Sequence, residues 1–271
     1  MTSMRKDDLA TVASIGASAF IVACVAHEVI GHGGMCLATG GHVTLISSVY
    51  FRATNGGPIV DASGPMANLV LGGLLWLGLR FRRTPSPHLH LFLATAMGLN
   101  LFWGSGYFVY SGIANTGDWA FVVRDLALRP IWLWRVILVS LGLYIYGLST
   151  MAVSRRLTRF ADIEHKDRSS HPLFRLTLIL YLSAGITCCS AAFLFRGTLW
   201  PALRESLVES FGASVGLLFI ANRRPRTDNA MENACSVVTL DWKWIIISVL
   251  CVILFVAVMG RGYFNEPNEA V

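Results

Sequence analysis

Residues Phe20 to Gly41 read FIVACVAHEVIGHGGMCLATGG, and His27, Glu28 and His32 stand there in a run that is otherwise apolar or small. Such groups are costly inside a membrane or a core unless they pair or bind something. A His-Glu-x-x-His helix sets two imidazoles one turn apart, so that both reach one Zn²⁺ with the glutamate beside them. Here one more residue intervenes. At about 100° per residue, an i,i+5 pair on a regular α-helix diverges by roughly 140°, too far to share a metal. A π-bulge absorbs the extra residue and returns i and i+5 to one face. Gly31, Gly33 and Gly34 make that distortion cheap. The stretch therefore predicts an irregular helix near Gly31.

Composition puts this stretch in a bilayer. The 271-residue chain is 54% hydrophobic and only 14% charged, with a mean hydropathy of +0.57, outside the balance of a soluble domain. The net charge of +6 does not point to nucleic acid. Its arginines cluster between apolar runs, at Arg80, Arg82 and Arg83, at Arg155, Arg156 and Arg159, and at Arg223, Arg224 and Arg226. That is the pattern of cytoplasmic loops. The six cysteines form no CxxC pair and read as small buried hydrophobes. Ile21-Val22-Ala23-Cys24 resembles a lipoprotein cleavage site, but the apolar run continues past it.

Runs near the roughly 20 apolar residues of a membrane span fall at Leu9 to Ala38, Ala62 to Phe81, Leu89 to Ile113, Ile131 to Val153, Leu173 to Phe195, more weakly at Pro201 to Ala221, and at Trp242 to Met259. The expectation is an all-α polytopic membrane protein of about seven transmembrane helices. With the N-terminus cytoplasmic, this count puts every basic cluster inside, as expected of a cell-membrane protein. Between the first two spans, His42 to Arg52 alternates in polarity, Asn55-Gly56-Gly57-Pro58 reads as a turn and Ile59-Val60 as a return, giving a small β-hairpin.

Two histidines leave a catalytic zinc one protein ligand short. Acidic residues between Leu9 and Val153 are Glu28, Asp61, Asp118 and Asp125. Asp118, in Asn115-Thr116-Gly117-Asp118-Trp119, is favoured over Asp61 because the span count sets it on the side to which the histidines lean. His42 reads as a surface residue at a strand end, and Asn100 as an interhelical hydrogen-bond former.

His27-Glu28 with His32 in the first span, Ser63-Gly64-Pro65-Met66-Ala67-Asn68 opening the second and Gly117-Asp118 after the third resemble the site-2 protease family of intramembrane zinc metalloproteases. The resemblance covers about Phe20 to Trp119. It implies metal ligation by His27, His32 and Asp118, Glu28 as general base, and Asn68 or Asn115 positioned for the oxyanion or the substrate. The chain departs from the family pattern in the extra residue between the histidines and in Trp119, where the family has glycine.

The resemblance divides the chain into a metalloprotease-like core, 1–129, and additional spans without an assigned role, 130–271. The implied partners are a membrane-protein substrate, the lipid bilayer and a regulatory membrane subunit. Two other classes compete with a zinc endopeptidase. One is a transporter or proton-relay carrier built on His27, Glu28 and His32; the other is a catalytically inactive, protease-like scaffold.

Overall fold

The computed structural model describes residues 7–81, 86–160, 172–221 and 237–264. The first long helix begins at Asp8, whose carboxylate caps it by accepting from the Thr11 amide at 2.8 Å. It runs as α1 (Leu9–Cys24), a π-helical stretch (Val25–Gly33) and α2 (Gly34–Ala38) without interruption. The irregularity expected near Gly31 is thus present and spans nine residues.

After α2 come β1 (His42–Ile46) and β2 (Phe51–Thr54), which pair antiparallel. A hairpin does lie between the first two apolar segments, but both of its strands fall within 42–54 and its turn is not the expected one. The chain reverses at 47–50, where the Ser47 hydroxyl accepts from the Tyr50 amide at 2.8 Å and the Ser47 amide donates to the Tyr50 carbonyl at 2.9 Å. Asn55-Gly56-Gly57 instead redirects the chain into α3 (Pro58–Phe81), with Asn55 and Gly57 at positive φ. Ile59 and Val60 belong to that helix, because proline's fixed φ and missing N–H suit a first helical turn and not a returning strand. A two-residue strand, β3 (Tyr263–Phe264), pairs with Leu45 and Ile46, so the sheet order is β2-β1-β3.

The remaining helices are α4 (Pro87–Ala114), α5 (Asp118–Asp125), α6 (Ile131–Leu157), α7 (Pro172–Ala192), α8 (Leu199–Leu207), α9 (Gly216–Ala221) and α10 (Trp242–Phe255). A second π-helical stretch, Val208–Gly212, continues α8, and a third, Val256–Gly260, continues α10. Among the described residues, five helical segments are long and apolar enough to cross a membrane: Leu9–Ala38, Pro58–Phe81, Ile131–Phe160, Leu173–Ala192 and Trp242–Gly260. Two of the seven expected spans are not among them. α4 has 28 residues but carries His88, His90, Asn100 and several serines and glycines, which dilute its apolarity. The stretch from Pro201 to Ala221 is interrupted by a turn at Val215.

The five apolar segments fit a bilayer and not water. Val136, Ile137, Leu141 and Tyr144 on α6, and Ile246, Ile247, Leu250 and Leu254 on α10, are all exposed. An apolar surface that wide is compatible with contact to lipid. α4 packs against α1, α3 and α6 at the centre, while α7 and α10 pack on α1. One buried cluster runs from Ile15 and Phe20 through Trp103 to Leu180 and Phe255. The later helices therefore share a core with those that hold the site.

Candidate metal centre

The π-helical stretch does for His27 and His32 what an α-helix cannot do at this spacing. Their Nε2 atoms lie 3.3 Å apart, and the rings meet edge to face. α5 closes the triangle with Asp118, whose Oδ2 is 3.2 Å from His27 Nε2 and 3.5 Å from His32 Nε2. Asp61, in the first turn of α3, is not part of this group; among the described residues, His27, His32 and Asp118 are the three whose ligand atoms converge. His42 is exposed on β1 and lies outside it.

Two glycines make the convergence possible. A Cβ on Gly64 would run into His32 Nε2 and stand 2.8 Å from His27 Nε2, so the Ser63-Gly64-Pro65 turn of α3 opens the space the imidazoles occupy. A Cβ on Gly31 would stand 2.7 Å from Gly64 Cα, so the π-helical stretch and α3 meet backbone to backbone. Gly31 thus serves close approach as well as helix distortion.

The outer ring nitrogens are committed. His32 Nδ1 lies 2.8 Å from the Val60 carbonyl, which can only accept, so this nitrogen carries the proton. Asn68 donates through Nδ2 to the Ala23 carbonyl and to Asn100 Oδ1, each at 2.9 Å. Those two bonds fix the amide's orientation. Its Oδ1 therefore faces His27 Nδ1 at 2.7 Å and accepts from it. In the neutral rings both Nε2 lone pairs then point at each other and at a carboxylate oxygen. Three electron-pair donors so placed repel one another unless a metal ion or a proton sits among them.

The spacing fits ligands gathered about one small metal ion. Ligand atoms about 2.0–2.1 Å from a tetrahedral centre stand roughly 3.3 Å from one another, against 3.2, 3.3 and 3.5 Å here. Burial of the Asp118 carboxyl opposes its ionisation, but the two histidines outweigh that and hold it at about 2.

Glu28 is 2% exposed, and its Oε2 makes no hydrogen bond among the described residues. Asn68, read as an oxyanion candidate, has its amide occupied in aligning His27. Asn115 is exposed and ends α4 as a left-handed C-cap, its amide donating to the Ser111 carbonyl at 3.1 Å. Asn100 is the interhelical hydrogen-bond partner it was read to be.

Several contributors were not singled out from the sequence. Trp103 stacks on His27 at 5.3 Å and Tyr107 lies against it at 4.8 Å, one turn apart on α4. Phe51 of β2 stacks on His32 at 5.2 Å. The i,i+4 spacing of Trp103 and Tyr107 marks a shared face, but nothing in the sequence says what that face meets. Compared with known proteins, the chain matches no family model, no curated protein and no solved structure.

Proposed function

We propose that the chain is an intramembrane zinc metallopeptidase that hydrolyses peptide bonds of membrane-anchored or membrane-proximal proteins. The observation that carries this reading is the triangle of His27 Nε2, His32 Nε2 and Asp118 Oδ2 with both outer ring nitrogens engaged elsewhere. That set supplies the three protein ligands of a catalytic zinc. Zinc held there supplies Lewis acidity towards water and towards the scissile carbonyl.

Glu28, next to His27 in sequence and without a partner on Oε2, takes the proton of the attacking water and returns it to the leaving amine. Asn68 keeps His27 in the tautomer that presents Nε2. Trp103, Tyr107 and Phe51 pack against the imidazoles and limit access of bulk water.

A helix hides its peptide bonds, so the substrate enters extended, by strand addition. β1 lies between β2 and β3. The edge offered is therefore that of β2, whose Phe51 touches His32. In the bilayer, the reading takes α4 and the stretch from Pro201 to Ala221 as the remaining two of seven crossings, with the N-terminus cytoplasmic and the cell membrane as host. Residues 1–129 then carry the chemistry, and the later helices gate the site or dock a regulatory membrane subunit.

The test is metal content by mass spectrometry on detergent-purified protein. Near one zinc per chain is expected in wild type and in Glu28→Gln, and little in His32→Ala or Asp118→Ala. With an identified substrate, Glu28→Gln slows cleavage by about 10²–10⁴-fold. Carefully handled wild type without metal would sink the reading in favour of a proton relay or a scaffold.

A further inference from the structure

Beside the metal centre lies a cavity of about 280 Å³ bounded by α4, α6, the second π-helical stretch and α9. Its lining is apolar on most sides, from Val109, Leu143, Val208, Val215 and Phe219, with the rings of Tyr107, Tyr110 and Tyr146 among them. One acidic group faces this surface. Glu209 lines the cavity, is 5% exposed, and accepts from the Tyr107 hydroxyl on Oε1 at 2.7 Å. Its other oxygen, Oε2, is buried without a partner among the described residues.

The neighbouring Glu205 differs. Arg204 donates to it at 2.7 Å and Tyr110 at 3.1 Å, so its charge is already answered. Tyr146 is likewise engaged, donating to the Ala213 carbonyl at 2.6 Å and accepting from the Gly216 amide at 2.7 Å. The unmet polar demand at the cavity wall is therefore one buried carboxyl oxygen, beside the Tyr107 and Tyr110 rings. An ammonium group answers both, through a charge-assisted hydrogen bond and through the rings. The apolar walls suit a methylene stem, and the volume falls just below the roughly 300–1,000 Å³ of drug-sized sites.

We infer that this cavity is a substrate subsite that takes a side chain with an apolar stem and a terminal ammonium, a lysine, with Glu209 as its anchor. The inference rests on the peptidase reading for the word substrate. Tyr107 ties the subsite to the metal centre, because its hydroxyl holds Glu209 and its ring lies 4.8 Å from that of His27.

The experiment uses the full detergent-purified chain and n-butylammonium, the lysine side chain cut at Cβ, with n-butanol as the neutral control. Binding is followed by saturation-transfer NMR, and zinc content is measured on the same samples. The expected result is saturable n-butylammonium binding without matching n-butanol binding, weakened at least tenfold in Glu209→Gln. A second variant, Leu143→Trp, changes an exposed cavity wall that has room for the larger ring; it is expected to block the amine with Glu209 intact. N-acetyl-lysine-amide should displace the probe, and phosphoethanolamine should not.

Equal binding of amine and alcohol, full binding in both variants, or displacement by phosphoethanolamine as strong as by the lysine amide would overturn the subsite. Amine binding needs no metal. Zinc-free protein that still binds the amine therefore removes the peptidase reading alone, and zinc-loaded protein that ignores it removes the subsite alone.

Discussion

Asn68 shows how one side chain decides what a neighbouring histidine can do. Its amide spends both kinds of hydrogen-bonding capacity, donating to Ala23 and Asn100 and accepting from His27. The sequence singled it out through the Gly64-Pro65 motif but assigned it to the oxyanion. The structure gives it to the imidazole, because a carbonyl on α1 and an amide on α4 fix which end faces His27. Replacing Asn68 with alanine leaves the Nδ1 proton without an acceptor and frees the ring to turn. Loss of such a supporting partner typically costs about 10–100-fold in metal affinity. Zinc titration against a competing chelator should find Asn68→Ala weaker by that factor; unchanged affinity would remove the orienting role.

At the scale of the element, the π-helical stretch is the feature on which the site turns. One extra residue between the histidines would spoil a regular helix, and the wider π turn restores a common face for i and i+5. The distortion was legible because the chemistry of His27, Glu28 and His32 demanded a shared face and glycines supplied the freedom. The contact of Gly31 with Gly64 was not legible, since it joins two helices whose approach no local pattern encodes. Ile30 is 63% exposed, so little packing depends on it. Deleting it returns the pair to i,i+4 spacing, and the shortened chain should relax to an α-helix and keep near one zinc per chain. Loss of zinc in a chain that remains monodisperse would show that the π geometry sets more than the spacing.

Across the whole molecule, the metal centre joins elements far apart in the chain: the first helix, α3 through Val60 and Asn68, and α5 through Asp118. While α3 holds the two imidazoles by hydrogen bonds, a bound ion would tie the first helix directly to α5. At a free concentration 100 times its dissociation constant, it adds about 2.7 kcal/mol to stability. For a chain of this size that corresponds to roughly 5–10 °C in Tm. A thermal melt with and without a zinc chelator should show a drop of that order in wild type and none in Asp118→Ala. The sequence by itself determined an apolar composition that suits a membrane, the places of five apolar helices, a hairpin between the first two and His27, His32 and Asp118 as candidate ligands. They follow from composition, from apolar run length, from the cost of burying a polar group and, for Asp118, from the span count and the family resemblance. The hairpin's turn, the work of Asn68 and the partnership of Tyr107 with Glu209, 102 residues away, were decided only by the tertiary structure. They depend on which helices touch and how closely, a property of the packed molecule that no local stretch carries.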